Sequence, residues 1–207
     1  GRSSGKRGVG SIDEFVRDIK VFQSFVKARF PNLPYYFMGH SMGGLVLIKL
    51  LIRHGNLGSS GTIFSSPLLG VTVKIPPFKD KSARFLAKIA PSITMANEIP
   101  NKNLTRDKEV VQIYDKDHLR HNRISPRLFV EILNSIDYVF QQGDKIKGPL
   151  LCQQSGDDLV VSRSKATEFF NQLKVDDKKL IVYEGFYHEV FLELERAVVE
   201  GGGQTET

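Results

Sequence analysis

Residues 35–38 read Tyr-Tyr-Phe-Met. Gly39-His40-Ser41-Met42-Gly43 follows at once, and a largely apolar stretch then runs from Leu45 to Ile52. A chain that does this passes from strand to helix through a turn of very few residues, which confines it to an architecture of strands alternating with helices. A serine in such a turn projects its hydroxyl above the sheet edge, and the glycines two before and two after it leave room for the backbone to fold sharply. Pro31 and Pro34 announce the strand, and Gly55 can cap the helix. The segment nominates Ser41 as a nucleophile.

The five-residue pattern is weak evidence by itself, because the chain matches it twice. Gly1-Arg2-Ser3-Ser4-Gly5 also has glycines on either side of a serine, but a polar, basic stretch follows it and no apolar run leads into it. Ser3 is therefore read as a loop residue, and the strand and helix around Ser41 decide between the two.

A length of 207 residues fits one domain, and 41% hydrophobic content with 14 Phe is ample for a core. The longest apolar stretches fall short of the roughly 20 residues that span a bilayer, so a soluble protein is expected; its expected location is cytoplasmic, with membrane association left open. The lone Cys152, within Pro149-Leu150-Leu151-Cys152, excludes an intramolecular disulfide and reads as a small core residue on a strand. A formal charge of +6 would suit nucleic acid, but no zinc spacing, aromatic-rich RNA motif or concentrated basic helix accompanies it, so nucleic-acid binding is set aside.

Ser11-Ile12-Asp13-Glu14 reads as a capping box, with Phe15, Ile19, Phe22, Val26 and Phe30 at helical spacing until Pro31. Strands are predicted at 35–38, 61–64, 149–153 and 179–183, and helices at 42–54, 162–173 and 189–199. The alternation implies a mostly parallel sheet with flanking helices. Residues 70–146 separate the second and third strands by more than a crossover needs. They carry helical patterns of their own, at 82–90 and from Ser125-Pro126 through Leu128, Phe129, Ile132, Leu133, Ile136, Val139 and Phe140. The expected organisation is a core over 1–69 with the nucleophile turn, a helical lid insertion over 70–146, a second core part over 147–200, and a disordered tail over 201–207.

A serine hydroxyl is a poor nucleophile until an imidazole takes its proton, and that imidazole needs a carboxylate to fix its tautomer. Of the five histidines, His40 is expected to point away from Ser41, His54 sits at a helix end, and His118 and His121 are read as lid surface. Their spacing alone does not make a metal site. His188 follows the fourth strand in Glu184-Gly185-Phe186-Tyr187-His188-Glu189, where parallel sheets place their chemistry. Ser155-Gly156-Asp157-Asp158-Leu159-Val160-Val161 offers two acids on the preceding strand's loop. Asp158 is favoured because the apolar residues after it can anchor the loop while its carboxylate faces inward. Asp157 would then cap or be solvated.

These residues resemble the α/β-hydrolase superfamily, and within it the monoacylglycerol lipase and lysophospholipase branch. Gly1 to Gly5 is similar to that branch's glycine-rich loop, Gly39 to Gly44 to its nucleophile elbow, and Ser65-Ser66-Pro67 to its next strand end. Asp107 to Tyr114 and Ile124 to Leu133 are similar to its lid helices, and the loops around Asp158 and His188 to its acid and histidine loops. The resemblance implies a cofactor-independent serine hydrolase, with no metal, that cleaves monoacylglycerol or lysophospholipid esters. Ser41 would attack, His188 would shuttle the proton, Asp158 would orient it, and the backbone N–H of Met42 would hold part of the oxyanion. Lid residues would form an apolar acyl channel, and Lys74, Lys79, Lys81, Arg84 and Lys88, interleaved with Phe78, Phe85 and Leu86, would touch an anionic lipid interface.

The resemblance departs in one respect. The family's sheet has eight strands and only its last four are found, so the His-Gly loop that supplies a second oxyanion donor is absent from the sequence. The chain is thus expected to be the carboxyl-terminal part of an α/β-hydrolase fold, with the strand before Ser41 as an exposed apolar edge. Alternatives left open are a short-chain carboxylesterase or thioesterase, and a non-catalytic scaffold that binds an apolar ligand or an inactive fragment.

Overall fold

The computed structural model describes residues 11–72, 76–91, 93–97 and 99–201. Ser3 and its glycine-rich loop, Lys74, and the tail beyond Gly201 lie outside them.

Helix α1 (Ile12–Arg29) starts at Ser11, whose hydroxyl accepts the Asp13 N–H at 3.1 Å. The expected capping box is half formed, because the Glu14 N–H bonds to the Ser11 carbonyl. Ile12 and Val16 are buried and Phe15 and Ile19 pack against the core, whereas Phe22 and Phe30 are exposed. The apolar stripe read from the spacing is therefore packed along only half its length. Strand β1 (Tyr36–His40) leads through Ser41 into α2 (Met42–His54). Every residue of α2 from Gly44 to Ile52 is buried. Full burial of each large aliphatic side chain contributes roughly 1.5–3 kcal/mol, so α2 is the centre of the core. Its one buried charge, Lys49, is 2.7 Å from Asp13 and donates to Ser135 Oγ at 3.2 Å. Burial opposes ionisation of Asp13, yet Lys49 and Arg53 hold its carboxyl below the usual range.

After β2 (Gly61–Ser65) the chain enters a long, mostly helical segment before the next long strand. Helix α3 (Pro77–Ile89) begins earlier than its periodicity suggests, because Pro77 takes a first-turn position where a missing N–H costs nothing. Two-residue strands β3 (Met95–Ala96) and β4 (Arg123–Ile124) pair antiparallel on either side of α4 (Lys108–Lys116). Helix α5 (Pro126–Gln142) opens where Ser125-Pro126 predicts, with Ser125 Oγ accepting the Leu128 N–H at 3.1 Å. It packs on both α3 and α2, and Ile132 and Val139 join the main core cluster.

The chain returns through β5 (Leu150–Ser155), α6 (Arg163–Gln172), β6 (Lys178–Tyr183) and α7 (Ala197–Glu200). Among the described residues, the four long strands form one parallel sheet in the order β1, β2, β5, β6. β1 is at the edge with Tyr36 and Met38 exposed, while β2 is central and nearly all buried. The helix expected over 189–199 is broken. A 3₁₀ turn at Val190–Leu192 precedes α7, because the fully buried Glu193 adopts extended backbone (φ −84°, ψ 166°) and turns its side chain inward.

Candidate active site

Ser41 sits between β1 and α2 with φ 52°, ψ −120°, a conformation an L-residue adopts only when its surroundings impose it. Its N–H donates to the Ser65 carbonyl at 2.9 Å, and its own carbonyl accepts from Gly44, Leu45 and Leu68 at 3.0 to 3.3 Å. The glycines make this turn possible unequally. A Cβ on Gly39 would lie 2.6 Å from the Gly43 carbonyl oxygen, and one on Gly44 would lie 2.8 Å from Pro67 Cβ. A Cβ on Gly43 would meet nothing within 4 Å. The spacing points to the pair Gly39 and Gly43, but steric need falls on Gly39 and Gly44.

Asp158 and His188 come from the loops after β5 and β6. His188 Nδ1 and Asp158 Oδ2 are 2.9 Å apart, with both side chains almost wholly inaccessible. Asp158 Oδ1 accepts the N–H groups of Val160 and Val161 at 2.8 and 2.9 Å, so the residues after the acid anchor it with backbone donors; of the three apolar side chains expected to hold the loop, Val161 is buried and Leu159 is exposed. Asp157 is exposed, and its contact is a backbone one, its N–H donating to the Phe186 carbonyl at 2.9 Å.

Ser41 and His188 line one cavity of about 460 Å³. His40, Val160 and Glu189 also line it, and Asn97, Asn101, Tyr114, Arg120 and His121 from the segment between β2 and β5 form much of its remaining wall. This wall is mostly polar, where an apolar acyl channel was expected. His40 also departs from expectation. It lines the cavity, its ring centroid is 4.7 Å from that of His188, and its Nδ1 is 3.1 Å from Ser65 Oγ. Burial, together with the neighbouring His188, lowers its pKa to about 4, so His40 is neutral near pH 7. His121, read as lid surface, lines the cavity as well.

Tyr114 and Glu189 were not singled out in the sequence. The Tyr114 hydroxyl donates to the Glu189 carboxylate, and Arg120 lies 3.6 Å from the Tyr114 ring centroid. Burial and the Glu189 carboxylate both raise the phenol's pKa. The only sequence signal for Glu189 is its place next to His188. Cys152 is buried in the core, and burial pushes its thiol up to about 12, which makes it inert.

The family model described as serine aminopeptidase, S33, matches residues 1–195. A phospholipase of Bacillus subtilis, YtpA, is 33% identical over 198 residues, which cover 95% of this chain and 76% of that protein. The human monoglyceride lipase is 31% identical over 198 residues, covering 94% of this chain and 64% of the relative. The crystal structure of the Paleococcus ferrophilus monoacylglycerol lipase superposes with a TM-score of 0.84 at 30% identity, over 97% of this chain and 78% of the other. A soluble variant of the Saccharomyces cerevisiae monoglyceride lipase, in complex with a substrate analog, superposes with a TM-score of 0.82 at 22% identity, over 98% of this chain and 71% of that one.

Proposed function

This chain belongs to the serine aminopeptidase S33 family and has an α/β-hydrolase fold, and on that premise we propose that it hydrolyses small lipid esters, monoacylglycerols or lysophospholipids, through Ser41, His188 and Asp158. The observation that carries the reading is the Asp158–His188 hydrogen bond of 2.9 Å ending in the cavity that Ser41 also lines.

In this mechanism Ser41 Oγ attacks the ester carbonyl while the second ring nitrogen of His188 takes its proton. Asp158 holds the Nδ1–H and stabilises the imidazolium. The proton passes to the leaving alcohol, and water then releases the fatty acid from the acyl-enzyme by the same steps in reverse. Met42 opens α2, so its N–H lies ahead of the helical hydrogen-bond ladder and is placed to hold the oxyanion. The polar wall of Asn97, Asn101 and Arg120, with Asp115 and Asp117 beside them, suits the glycerol end of such a lipid better than its acyl chain. This favours a polar-headed lipid over a simple short-chain ester.

The covering role of the insertion belongs to the same reading. Its side chains from Asn97, Asn101, Tyr114, Arg120 and Asn122 line the cavity, whereas α5 packs into the core. Phe78, Phe85 and Ile89 of α3 are exposed beside Lys81 and Lys88, an arrangement that suits contact with an anionic lipid surface. Leu86 is half-buried and Arg84 bonds to Asn134, so both contribute less than expected, and the side chain of Lys79 lies outside the described residues. Among the described residues, no helix is long and apolar enough to cross a membrane.

A fluorophosphonate probe tests the assignment. The chain should be labelled and Ser41→Ala should not; equal labelling of both would remove Ser41 from the mechanism. A panel of monoacylglycerols, lysophospholipids, short-chain esters and aminoacyl arylamides then separates lipase from esterase and peptidase activity.

A further inference from the structure

The interruption of the expected helix at Glu193 is the least expected feature of the carboxyl-terminal segment. A continuous helix over 189–199 would satisfy its backbone without burying a charge. Instead a carboxylate with no exposed surface is enclosed by four donors. Its Oε1 accepts the backbone N–H of Arg106 at 3.0 Å and that of Tyr187 at 2.9 Å. Its Oε2 accepts Arg106 Nε at 2.9 Å and the Leu194 N–H at 3.4 Å. Arg106 extends the cluster to Glu195 at 2.5 Å and lies over the Phe186 ring at 5.4 Å.

These bonds converge on both sides of His188. Tyr187, the residue before it, is held by Glu193. Glu189, the residue after it, donates its N–H to the Leu104 carbonyl at 2.8 Å and accepts the Tyr114 hydroxyl. Thr105 Oγ1 also donates to the Leu192 carbonyl at 2.7 Å. The segment 104–107 that leads into α4 and the loop carrying His188 are thus bolted together, and Glu193 touches both.

We propose that Glu193 is a positioning residue for the reaction assigned above: acting through Arg106 and the Tyr187 N–H, it fixes the His188 loop against the root of the covering segment and so sets the imidazole relative to Ser41. A carboxylate is suited to this because it presents acceptors only. A glutamine turns an N–H₂ group toward one pair of donors, so at least one side of the clamp is lost. An aspartate keeps the charge but draws back by one methylene.

The inference rests on the hydrolase reading, and the experiment separates the two. Fluorophosphonate labelling rates and saturation constants are measured for the wild type, Glu193→Gln, Glu193→Asp and Arg106→Lys, with circular dichroism to report folding. Proton NMR follows the downfield resonance of the His188 Nδ1–H. Expected for Glu193→Gln is labelling slower by about 10- to 100-fold with a saturation constant within about 2-fold, a shifted or broadened downfield proton, and partial rescue in Glu193→Asp. A folded Glu193→Gln with the wild-type rate and resonance overturns the proposal, as does a rate loss accounted for by the unfolded fraction. Should Glu193→Gln not fold, Arg106→Lys decides on the same two readouts. Should the wild type itself not be labelled, the hydrolase reading fails, and the resonance alone then reports whether Glu193 positions the ring.

Discussion

The carboxylate of Asp158 meets Nδ1 of His188 with Oδ2 alone, at 2.9 Å, because Oδ1 is engaged by the N–H groups of Val160 and Val161. The two oxygens therefore do different work, and they cannot exchange without breaking two backbone bonds.

Asp158→Asn should for this reason be far from conservative. The amide oxygen must face Val160 and Val161, which leaves the N–H₂ group against Nδ1 and forces the imidazole into the tautomer with its proton on the wrong nitrogen. Ester turnover near pH 7 should fall by about 10⁴-fold with the fold intact, whereas Asp157→Asn should stay within about 2-fold. Steady-state kinetics on both variants, with circular dichroism for folding, checks this. Retention of more than a tenth of the activity in Asp158→Asn would assign the acid elsewhere.

Alanine at each of the three elbow glycines should separate steric need from pattern. Gly43→Ala meets open space inside a helix, so it should be neutral or stabilising by up to about 1 kcal/mol. Gly39→Ala and Gly44→Ala drive a methyl into the Gly43 carbonyl and into Pro67, and each should cost about 1–3 kcal/mol or more. Thermal melts of the three proteins give the order directly. Equal losses at all three would mean that the turn relaxes in a way its geometry does not indicate.

Stability should depend on pH through His40. Its folded pKa of about 4 lies below the ordinary value of 6.5, so between these limits the unfolded chain binds the extra proton. The contribution is full above about pH 6.5 and is lost as pH falls toward 4, to a maximum of about 3 kcal/mol. His40→Gln removes this proton linkage. Urea unfolding at several pH values should show a flatter decline for the variant across that window, and parallel curves would show that His40 is not held neutral.

Tyr114→Phe removes the hydroxyl that ties α4 to Glu189. A hydrogen bond to a charged acceptor contributes about 1.5–3 kcal/mol, and here the loss should be local. The Glu189 amide, bonded to the Leu104 carbonyl, should exchange with solvent roughly 10-fold faster while the melting temperature changes little. An unchanged exchange rate would show that α4 is held against the His188 loop by its other contacts alone.

The parts of this molecule that were legible in the sequence are those in which one short segment carries its own physics. Ser125-Pro126 marks a helix start by capping and by the fixed φ of proline, and α5 begins there. The apolar run into and out of Ser41 shows β1 and α2 because strand, turn and helix are consecutive. Asp158, favoured over Asp157 for the Leu-Val-Val that follows, is the acid that meets His188, but the backbone N–H groups of that stretch hold it and the Leu159 side chain is exposed. What was illegible depends on distant partners. The β3–β4 pair joins residues 95–96 to 123–124 with too few residues for any periodicity. The broken helix at Glu193 follows from donors on Arg106, 87 positions away. His40 was expected to turn away from Ser41, but its ring neighbour His188 belongs to another strand's loop.

The sheet order puts Ser41 and His188 after its two outermost described strands, β1 and β6, with β2 and β5 between them. The end of β2 touches both halves. Ser65 receives the Ser41 N–H and meets His40, while the Ser66 N–H bonds to the Gln153 carbonyl and its hydroxyl accepts the Ser155 N–H at 3.3 Å. Ser65 and Ser66 thus act as a gauge block across the sheet. Its width, together with the twist between neighbouring strands, sets how far the Ser41 hydroxyl stands from the His188 imidazole. A small change of volume at Ser65 or Ser66 would be felt as a change in that gap.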